Sequence, residues 1–500
     1  MNIALFLQMA TDACPDRCAL SHDGQNYTYK ELFAASKRAA VKFSSADCKY
    51  VSLLDVSSPL VPVALMGAAM AGIPYVPINY RLSEEQIGAL LERIDPAYLI
   101  IGANEGRYTF DNGVIQSSSD FMNDVFSGDD VEIDWHEDPA AVAVQLFTSG
   151  TTGTPKAATL RHEHLVSYIL GTVEFMGAAE EDATLVSVPP YHIAAISAVM
   201  SNIYACRQIV LLPAFDPGEW LRLCIEHAVS SAFVVPTMLT RIIEELDQSI
   251  IDPRALTSLQ SIAYGGGKMP VPVIERALRL FPHVNFTNAY GLTETSSTIT
   301  LLDPDDHRAA IDHDDAAVHA RLGSVGKSLP SVEIEIRDDQ GKPVGPWEAG
   351  EIYVRGPQVS GEYEGRSVLD AHGWFPTRDA GYLDDHRYLY LSGRVDDVIV
   401  RGGENISPGE IEDLLHRHPA VADAAAVGMP SEEWGEVVAL ALVEASGQQV
   451  SEDEIRAYIR EHLRSSRVPE VIHHTSELPY NETGKLLRRV VREWFQIERD

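Results

Sequence analysis

Short runs of β-branched and aromatic residues alternate with amphipathic stretches along most of this 500-residue chain. The runs at 50–54, 98–102, 141–147, 208–212, 232–235, 259–263 and 284–287 have the length and composition of buried strands. Between them, 83–93, 217–227, 237–246 and 270–280 repeat apolar residues at the spacing of a helix face. This alternation predicts an α/β fold of largely parallel sheets covered by helices, with ligands bound beyond the carboxyl ends of strands. One uncharged stretch, 183–206, is long enough to raise a membrane question, but Pro189, Pro190 and His192 interrupt it. A buried strand, turn and helix is expected there, with no membrane span.

After residue 322 the runs shorten and turn residues separate them: 332–337, then DDQGKPVG, then 351–355. That texture predicts a β-rich subdomain at about 322–394. A second change follows Arg394. Helix 408–416, strands 422–428 and 437–444, helix 451–463 and a last helix from 486 make a small α+β unit. Five hundred residues are too many for one core, so a large N-terminal domain of two mainly parallel sheets and a separate C-terminal domain are expected.

Composition narrows the partners. At 45% hydrophobic and 22% charged the chain has ample material for a packed core. Thirty-nine basic residues against 73 acidic ones give a net charge of −34, which disfavours nucleic acid and anionic lipid. A polyphosphate ligand would therefore need local cations and Mg²⁺ to reverse the field. Cys14, Cys18, Cys48, Cys206 and Cys224 are scattered and odd in number, which predicts reduced thiols and a cytoplasmic setting. The first residues lack the basic flank of a signal peptide.

Four segments carry candidate chemistry. LFTSGTTGTPK, 146–156, sends a buried strand into a loop of glycines and hydroxyls that ends in Lys156. Glycines let several backbone N–H groups face one anion, Ser149, Thr151, Thr152 and Thr154 add donors, and the lysine adds charge, so a phosphate site is predicted. It is not the Walker loop, because Pro155 precedes the lysine and Ala157 stands where Ser or Thr would hold Mg²⁺. NAYGLTETSS, 288–297, offers the Tyr290 ring to a base, the Thr293 hydroxyl to a phosphate and Glu294 to Mg²⁺, though a glutamate there can equally cap a helix. In the third segment, 373–412, Asp379 can accept from ribose hydroxyls, Gly402 and Gly403 mark a turn, and Pro408 opens a helix. The fourth, LPYNETGKLLRR, places Lys485 after a Thr-Gly turn, where a lysine is ordinarily only solvated.

In their order, SGTTGTPK, YGLTET, TRD with GR, GGENISPGEIE and NETGK resemble the adenylate-forming superfamily of acyl- and aryl-CoA ligases, peptide-synthetase adenylation domains and luciferases, most closely the acyl-CoA synthetases. The resemblance runs from Tyr27 to Lys485. It implies that Thr148, Ser149, Gly150, Thr151, Thr152, Gly153, Thr154 and Lys156 hold the ATP phosphates and that Glu294 ligates Mg²⁺, with Thr293 beside it. It places Gly266, Gly267, Lys268, Asn288, Ala289, Tyr290 and Gly291 about the adenine, and Asp379 and Arg394 at the ribose. Lys485 would bridge the substrate carboxylate and the α-phosphate. The implied domains are 1–394, binding ATP and acid, a hinge at 395–397 centred on Asp396, and a C-terminal lid at 398–500. Rotation about the hinge would exchange Lys485 for Gly402, Gly403 and Glu404, which line the pantetheine tunnel.

The same resemblance puts the acid pocket at Tyr191, His192, Ile193, Val235, Thr237, Gly265, Ala289 and Thr295, with His192 as a gate; a packed histidine is the plain alternative. No acidic residue stands in HIAAIS, so a buried ammonium would go unpaired and α-amino acids are disfavoured. The expected substrate is a neutral-tailed fatty, aryl or alicyclic acid, and the expected acceptor is CoA. The alternative acceptor is a separate acyl carrier protein, for which Arg456, Arg460, Arg464 and Arg467 are a candidate docking face; a non-catalytic ATP-binding regulator would lack the Lys485, Glu294 and Asp379 present here. A monomer or homodimer is expected. Three departures stand out: Ala157 and Arg378 replace usual glycines, and 361–373 is short.

Overall fold

The computed structural model describes residues 1–102, 107–110, 113–135, 137–148, 155–248, 251–481 and 486–497. The local signals act as read. Helix Tyr29–Ser45 opens on a capping box in which Thr28 accepts from the Glu31 amide and the Glu31 carboxylate answers the Thr28 amide. Helix Pro217–Glu226 starts on Asp216 with proline in its first turn. The uncharged stretch divides into strand Ala183–Val186 and helix Ile193–Tyr204. Among the described residues no helix is long and apolar enough to cross a membrane.

Two large sheets form the N-terminal body. In one, the parallel strands Asn285–Leu292, Ser261–Gly265, Ser231–Val234, Ala183–Val186, Gln208–Leu211 and Cys18–His22 lie side by side. Antiparallel strands close its edges: Ser297–Leu302 with Lys327–Ser328, and Gln25–Thr28. The other sheet has parallel strands Val142–Thr148, Tyr75–Pro77, Tyr50–Leu54, Ala97–Ile101 and Val114–Ser117. Strand Ala183–Val186 pairs with Gln208–Leu211 on one side and Ser231–Val234 on the other. The strand order therefore reverses at its carboxyl end, where the Pro189–Pro190–Tyr191–His192 turn stands and where open α/β sheets form a crevice.

The region after residue 322 builds the antiparallel sheet Glu333–Arg337, Gly350–Arg355, Phe375–Leu383 and Leu389–Arg394. Beyond it, strands Ile399–Arg401, Glu404–Ile406, Val421–Ser431, Gly435–Glu444 and Val471–Thr475 form a sheet packed by helices Pro408–Leu415, Glu452–His462 and Arg488–Ile497. Its apolar clusters draw only on residues from Ile399 onward, which makes it a small domain with its own core. It touches the larger body where Lys268 Nζ meets Asp413 Oδ2 at 2.6 Å and where the Ser407 hydroxyl donates to the Ser392 carbonyl.

The strand that ends in the candidate site depends on what lies beneath it. Phe286 is fully packed in the main core. Phe286→Ala is expected to destabilise the protein by about 3–5 kcal/mol, read from the urea unfolding midpoint at unchanged slope.

Candidate active site

Two strand ends converge on one buried carboxylate, that of Asp379 midway along Phe375–Leu383. Asp379 lies opposite Arg394 in the register of Phe375–Leu383 with Leu389–Arg394. Arg394 Nη1 donates to Asp379 Oδ1 at 2.8 Å, and the Tyr290 hydroxyl donates to Oδ2 at 2.7 Å from the end of Asn285–Leu292. Thr377 completes the turn, its hydroxyl accepting from the Asp379 amide at 3.1 Å and donating to the Ile352 carbonyl at 2.8 Å. Burial first, and the Asp379 charge second, push the Tyr290 phenol well up, so it stays a donor. The Tyr290 ring itself packs in the apolar cluster with Ile299, Val325 and Ile334. Arg394 Nε is buried with no protein partner, so the site retains a donor for a ligand oxygen.

A second convergence sits on Tyr363. Its hydroxyl donates to Glu294 Oε1, and Lys156 Nζ stands 5.7 Å from its ring centroid. Strand Glu362–Tyr363 reaches this place by pairing with Ala158. Burial, then the neighbouring Glu294 charge, push the Tyr363 phenol up and keep it protonated. Glu294 is buried, and its backbone carbonyl is held by the Ser360 amide at 2.8 Å. Gly291, just before it, has no room for a side chain, because a Cβ there would lie 1.8 Å from the Ser297 carbonyl oxygen. The chain turns back at this point through left-handed Ser296, φ 56°.

The hydroxyl loop is the connection of a hairpin, since Thr148 pairs with Lys156. Arg93 grips both of its feet, donating to the Pro155 carbonyl at 2.7 Å and covering the Phe147 ring at 4.7 Å. Ser149, Gly150, Thr151, Thr152, Gly153, Thr154 and Lys485 lie outside the described residues. Arg93 and Tyr363 are the site residues that sequence reading missed. Neither stands in a recognisable motif, and only a strand-pairing pattern for 362–363 could have pointed to Tyr363.

The other expected residues fall in several places. Thr295 turns its hydroxyl to the backbone of Leu292 and Ser297. Asn288 donates to the Ser324 carbonyl at 3.1 Å. Gly265 pairs with Ala289 across adjacent strands, and Gly266 is left-handed at φ 80°. Lys268 reaches Asp413 of the small domain. Gly402 and Gly403, at φ 58° and 83°, form the turn between Ile399–Arg401 and Glu404–Ile406. Glu404 is paired with Arg467 and Arg464, far from unbound. Asp396 accepts from Arg378 Nη2 at 2.7 Å, and Arg378 takes the left-handed φ of 62° that a glycine would adopt without cost.

His192 ends the switch-point turn and begins helix Ile193–Tyr204. Its ring lies 4.6 Å from that of Tyr191, which in turn packs edge-on to Tyr80 at 5.6 Å. Burial, then the Arg81 charge, lower the imidazole to about 4, and its Nε2 is buried without a partner. The neutral ring therefore presents an unused nitrogen. A cavity of about 240 Å³ lies close by, lined by Tyr80, Arg81, Thr237, Arg241, Tyr480 and Asn481 among others, with no carboxylate among the described residues of its wall. Tyr480 and Asn481 come from the small domain, immediately before the 482–485 segment.

Among the described residues no three His, Cys, Asp or Glu side chains converge as a metal cage. The buried carboxylate of Glu294 suits a magnesium ion held mainly by phosphate oxygens. A buried aspartate clamped by an arginine and by Tyr290, four residues before that glutamate, suits a nucleotide-using α/β enzyme. The chain belongs to the AMP-binding enzyme family, whose model matches residues 7–364, with the AMP-binding enzyme C-terminal domain matching 410–485. It is 33% identical over 492 residues to the 2-succinylbenzoate–CoA ligase of Bacillus velezensis, covering 96% of this chain and 95% of that one. The corresponding ligase of Bacillus subtilis is 31% identical across 98% and 97% of the two chains. Among solved structures, o-succinylbenzoate coenzyme A synthetase from Bacillus subtilis, in complex with the acyl-adenylate intermediate OSB-AMP, superimposes with TM-score 0.83 at 30% identity over 97% of each chain. ATP-bound MatB from Rhodopseudomonas palustris shares the fold, with TM-score 0.87 at 24% identity over 99% of each chain. Membership makes the chain an adenylate-forming enzyme.

Two outcomes follow from this geometry. Asp379→Asn leaves Arg394 without its counter-charge and is expected to raise the KM for ATP about tenfold or more, measured by steady-state kinetics at saturating acid. The unfolded chain takes up a proton at His192 near pH 6.5, the folded one only near 4. Stability from this group is thus present above pH 6.5 and is lost as pH falls toward 4, by about 1.4 kcal/mol per unit at most. His192→Gln is expected to flatten that limb in thermal melts taken from pH 7 to 4.

Proposed function

We propose that the protein uses ATP and Mg²⁺ to convert an aryl carboxylic acid of the 2-succinylbenzoate type into its acyl adenylate, and then transfers the acyl group to the thiol of CoA. The observation that carries this reading is the end-to-end likeness to 2-succinylbenzoate–CoA ligases, spanning both domains, on a chain with the Tyr290–Asp379–Arg394 clamp in place. Asp379 and Arg394 hold the ribose hydroxyls. Lys156 and the hydroxyl loop take the β- and γ-phosphates. Glu294, oriented by Tyr363, faces the metal; the ion, when bound, offsets charge on the phosphates. Lys485 sits between the acid carboxylate and the α-phosphate.

In the first half-reaction a carboxylate oxygen attacks the α-phosphorus and pyrophosphate leaves. Two anions approach each other in that step, so fixed cations at the site lower the barrier by meeting charge where it accumulates. In the second, the thiol sulfur attacks the acyl carbon and AMP leaves. The boundaries 1–394, 395–397 and 398–500 serve as fixed body, hinge and lid, with Gly402, Gly403 and Glu404 brought to the acyl group in the second step.

The acid enters by the switch-point turn, with Tyr191, His192, Ile193, Val235 and Thr237 on one side and Gly265, Ala289 and Thr295 on the other. Arg81 and Arg241 in the wall of the neighbouring cavity favour an aryl acid whose side arm carries a second carboxylate. The absence of an acid from His192–Ser197 argues against an α-ammonium. CoA is favoured over a carrier protein because two of the four candidate docking arginines are already engaged: Arg456 with Glu452 at 2.8 Å, and Arg467 with Glu410 at 3.0 Å and with Glu404.

The test is pyrophosphate release with 2-succinylbenzoate, benzoate, a medium-chain fatty acid and an alicyclic acid, each with and without CoA. Multiple turnovers with 2-succinylbenzoate and CoA are the expected result; preference for the fatty acid, or a single burst that CoA fails to extend, contradicts it. Lys485→Ala is expected to cut adenylation about a hundredfold or more while sparing thiol transfer from supplied acyl adenylate. Equal loss of both would remove Lys485 from its assigned role.

A further inference from the structure

Glu294 is held at both ends by one short segment. Its backbone carbonyl accepts from the Ser360 amide at 2.8 Å and from the Ser360 hydroxyl at 3.1 Å, while its Oε1 accepts from the Tyr363 hydroxyl. Among the described residues its Oε2 has no hydrogen-bond partner, which leaves that oxygen to a ligand. The segment has little backbone support of its own. Strand Glu362–Tyr363 meets the large sheet through one register pair, Tyr363 with Ala158, and its other neighbour is the two-residue strand Arg366–Ser367. The hairpin turns through left-handed Glu364, φ 47°, and Gly365, φ 79°. So short a hairpin at a sheet edge does not fix a side chain by its ladder alone.

Side chains supply the anchoring. Glu362 is buried and takes two parallel bonds from Arg161, Nε to Oε2 at 2.9 Å and Nη2 to Oε1 at 2.8 Å. Arg161 ends strand Lys156–Arg161, the same strand that offers Ala158 to Tyr363, and its Nη1 also donates to the Ala140 carbonyl. A two-pronged arginine–carboxylate contact fixes orientation as well as distance. Arg93 pairs with Glu364 on the other side of Tyr363, but the Glu364 side chain is half exposed, so that contact constrains less. Alternation along the strand sends Glu362 and Tyr363 to opposite faces. The Arg161 pair thus pins the strand from one face while the phenol reaches Glu294 from the other.

We infer that Arg161 and Glu362 are positioning residues: their pair fixes the strand that aims Tyr363, and through the Tyr363 hydroxyl it sets the Glu294 carboxylate for the metal ion. The inference rests on the role given to Glu294 above. It assigns neither residue a contact with ligand.

The experiment measures ATP binding to the full-length protein by calorimetry, without acid or CoA, once with Mg²⁺ and once with EDTA. The readout is the factor by which Mg²⁺ tightens binding. Tyr363→Phe removes only the hydroxyl and is expected to shrink that factor about tenfold, with metal-free affinity unchanged. Glu362→Gln keeps the side chain's shape and is expected to shrink it about threefold or more. Because the pair acts through the phenol, the double variant is expected to match Tyr363→Phe alone. An unchanged factor in Glu362→Gln overturns the inference, whether or not its melting temperature falls, as a merely structural role would predict. Equal weakening with and without Mg²⁺, or losses that multiply in the double variant, also overturns it. Wild-type protein that binds ATP equally well with and without Mg²⁺ overturns the Glu294 assignment and this inference together. The identity of the acid does not enter this measurement, so failure of the 2-succinylbenzoate reading would show only in the turnover test.

Discussion

A buried carboxylate held by two donors organises the large body of this protein. Asp379 escapes the cost of burial because Arg394 lies opposite it in the strand register and Tyr290 reaches it from a different sheet. Removing an ion from water is expensive, and it is tolerated only when partners replace the lost hydration. The antiparallel pairing that aligns Asp379 with Arg394 is therefore as much a part of the site as the side chains are. The same pairing delivers the chain from Arg394 into the interdomain turn Val395–Asp397.

The small domain repeats this solution with Glu412 and Arg488. Each pair joins residues from different elements, Asp379 with Arg394 across two strands and Glu412 with Arg488 across two helices. The surface behaves differently. With a net charge of −34, an anionic nucleotide meets repulsion at long range, and the cations near the site must act at short range, where screening matters less. Lys156, Arg394 and Arg81 are held at strand ends and turns around the crevice. Their placement concentrates positive charge where the sheet topology opens.

Arg378 shows how the chain handles a non-glycine residue at a left-handed position, φ 62°. The backbone keeps the left-handed conformation, and the side chain finds Asp396 and, at 3.7 Å, Glu351. An exposed pair of this kind contributes little to stability. It offsets part of the strain of a non-glycine residue at that φ.

The sequence by itself determined the α/β alternation, the β-rich region after residue 322, the small α+β domain and the motifs that mark an adenylate-forming enzyme. Those features are local: strand and helix periodicity, caps such as Thr28 with Glu31, and loops whose glycines and hydroxyls are contiguous. Only the tertiary structure decided which distant residues meet. Tyr363 arrives beside Glu294 and Lys156 because a two-residue strand pairs with Ala158, and Arg93 holds the Pro155 carbonyl from a helix end 62 residues away. Lys268 and Thr295, both assigned by motif to ligand pockets, make their described contacts with Asp413 and with a backbone turn. Such contacts depend on sheet register and domain placement, which one sequence does not encode at any single position: side-chain identity sets what a group can do, and register sets what it can reach.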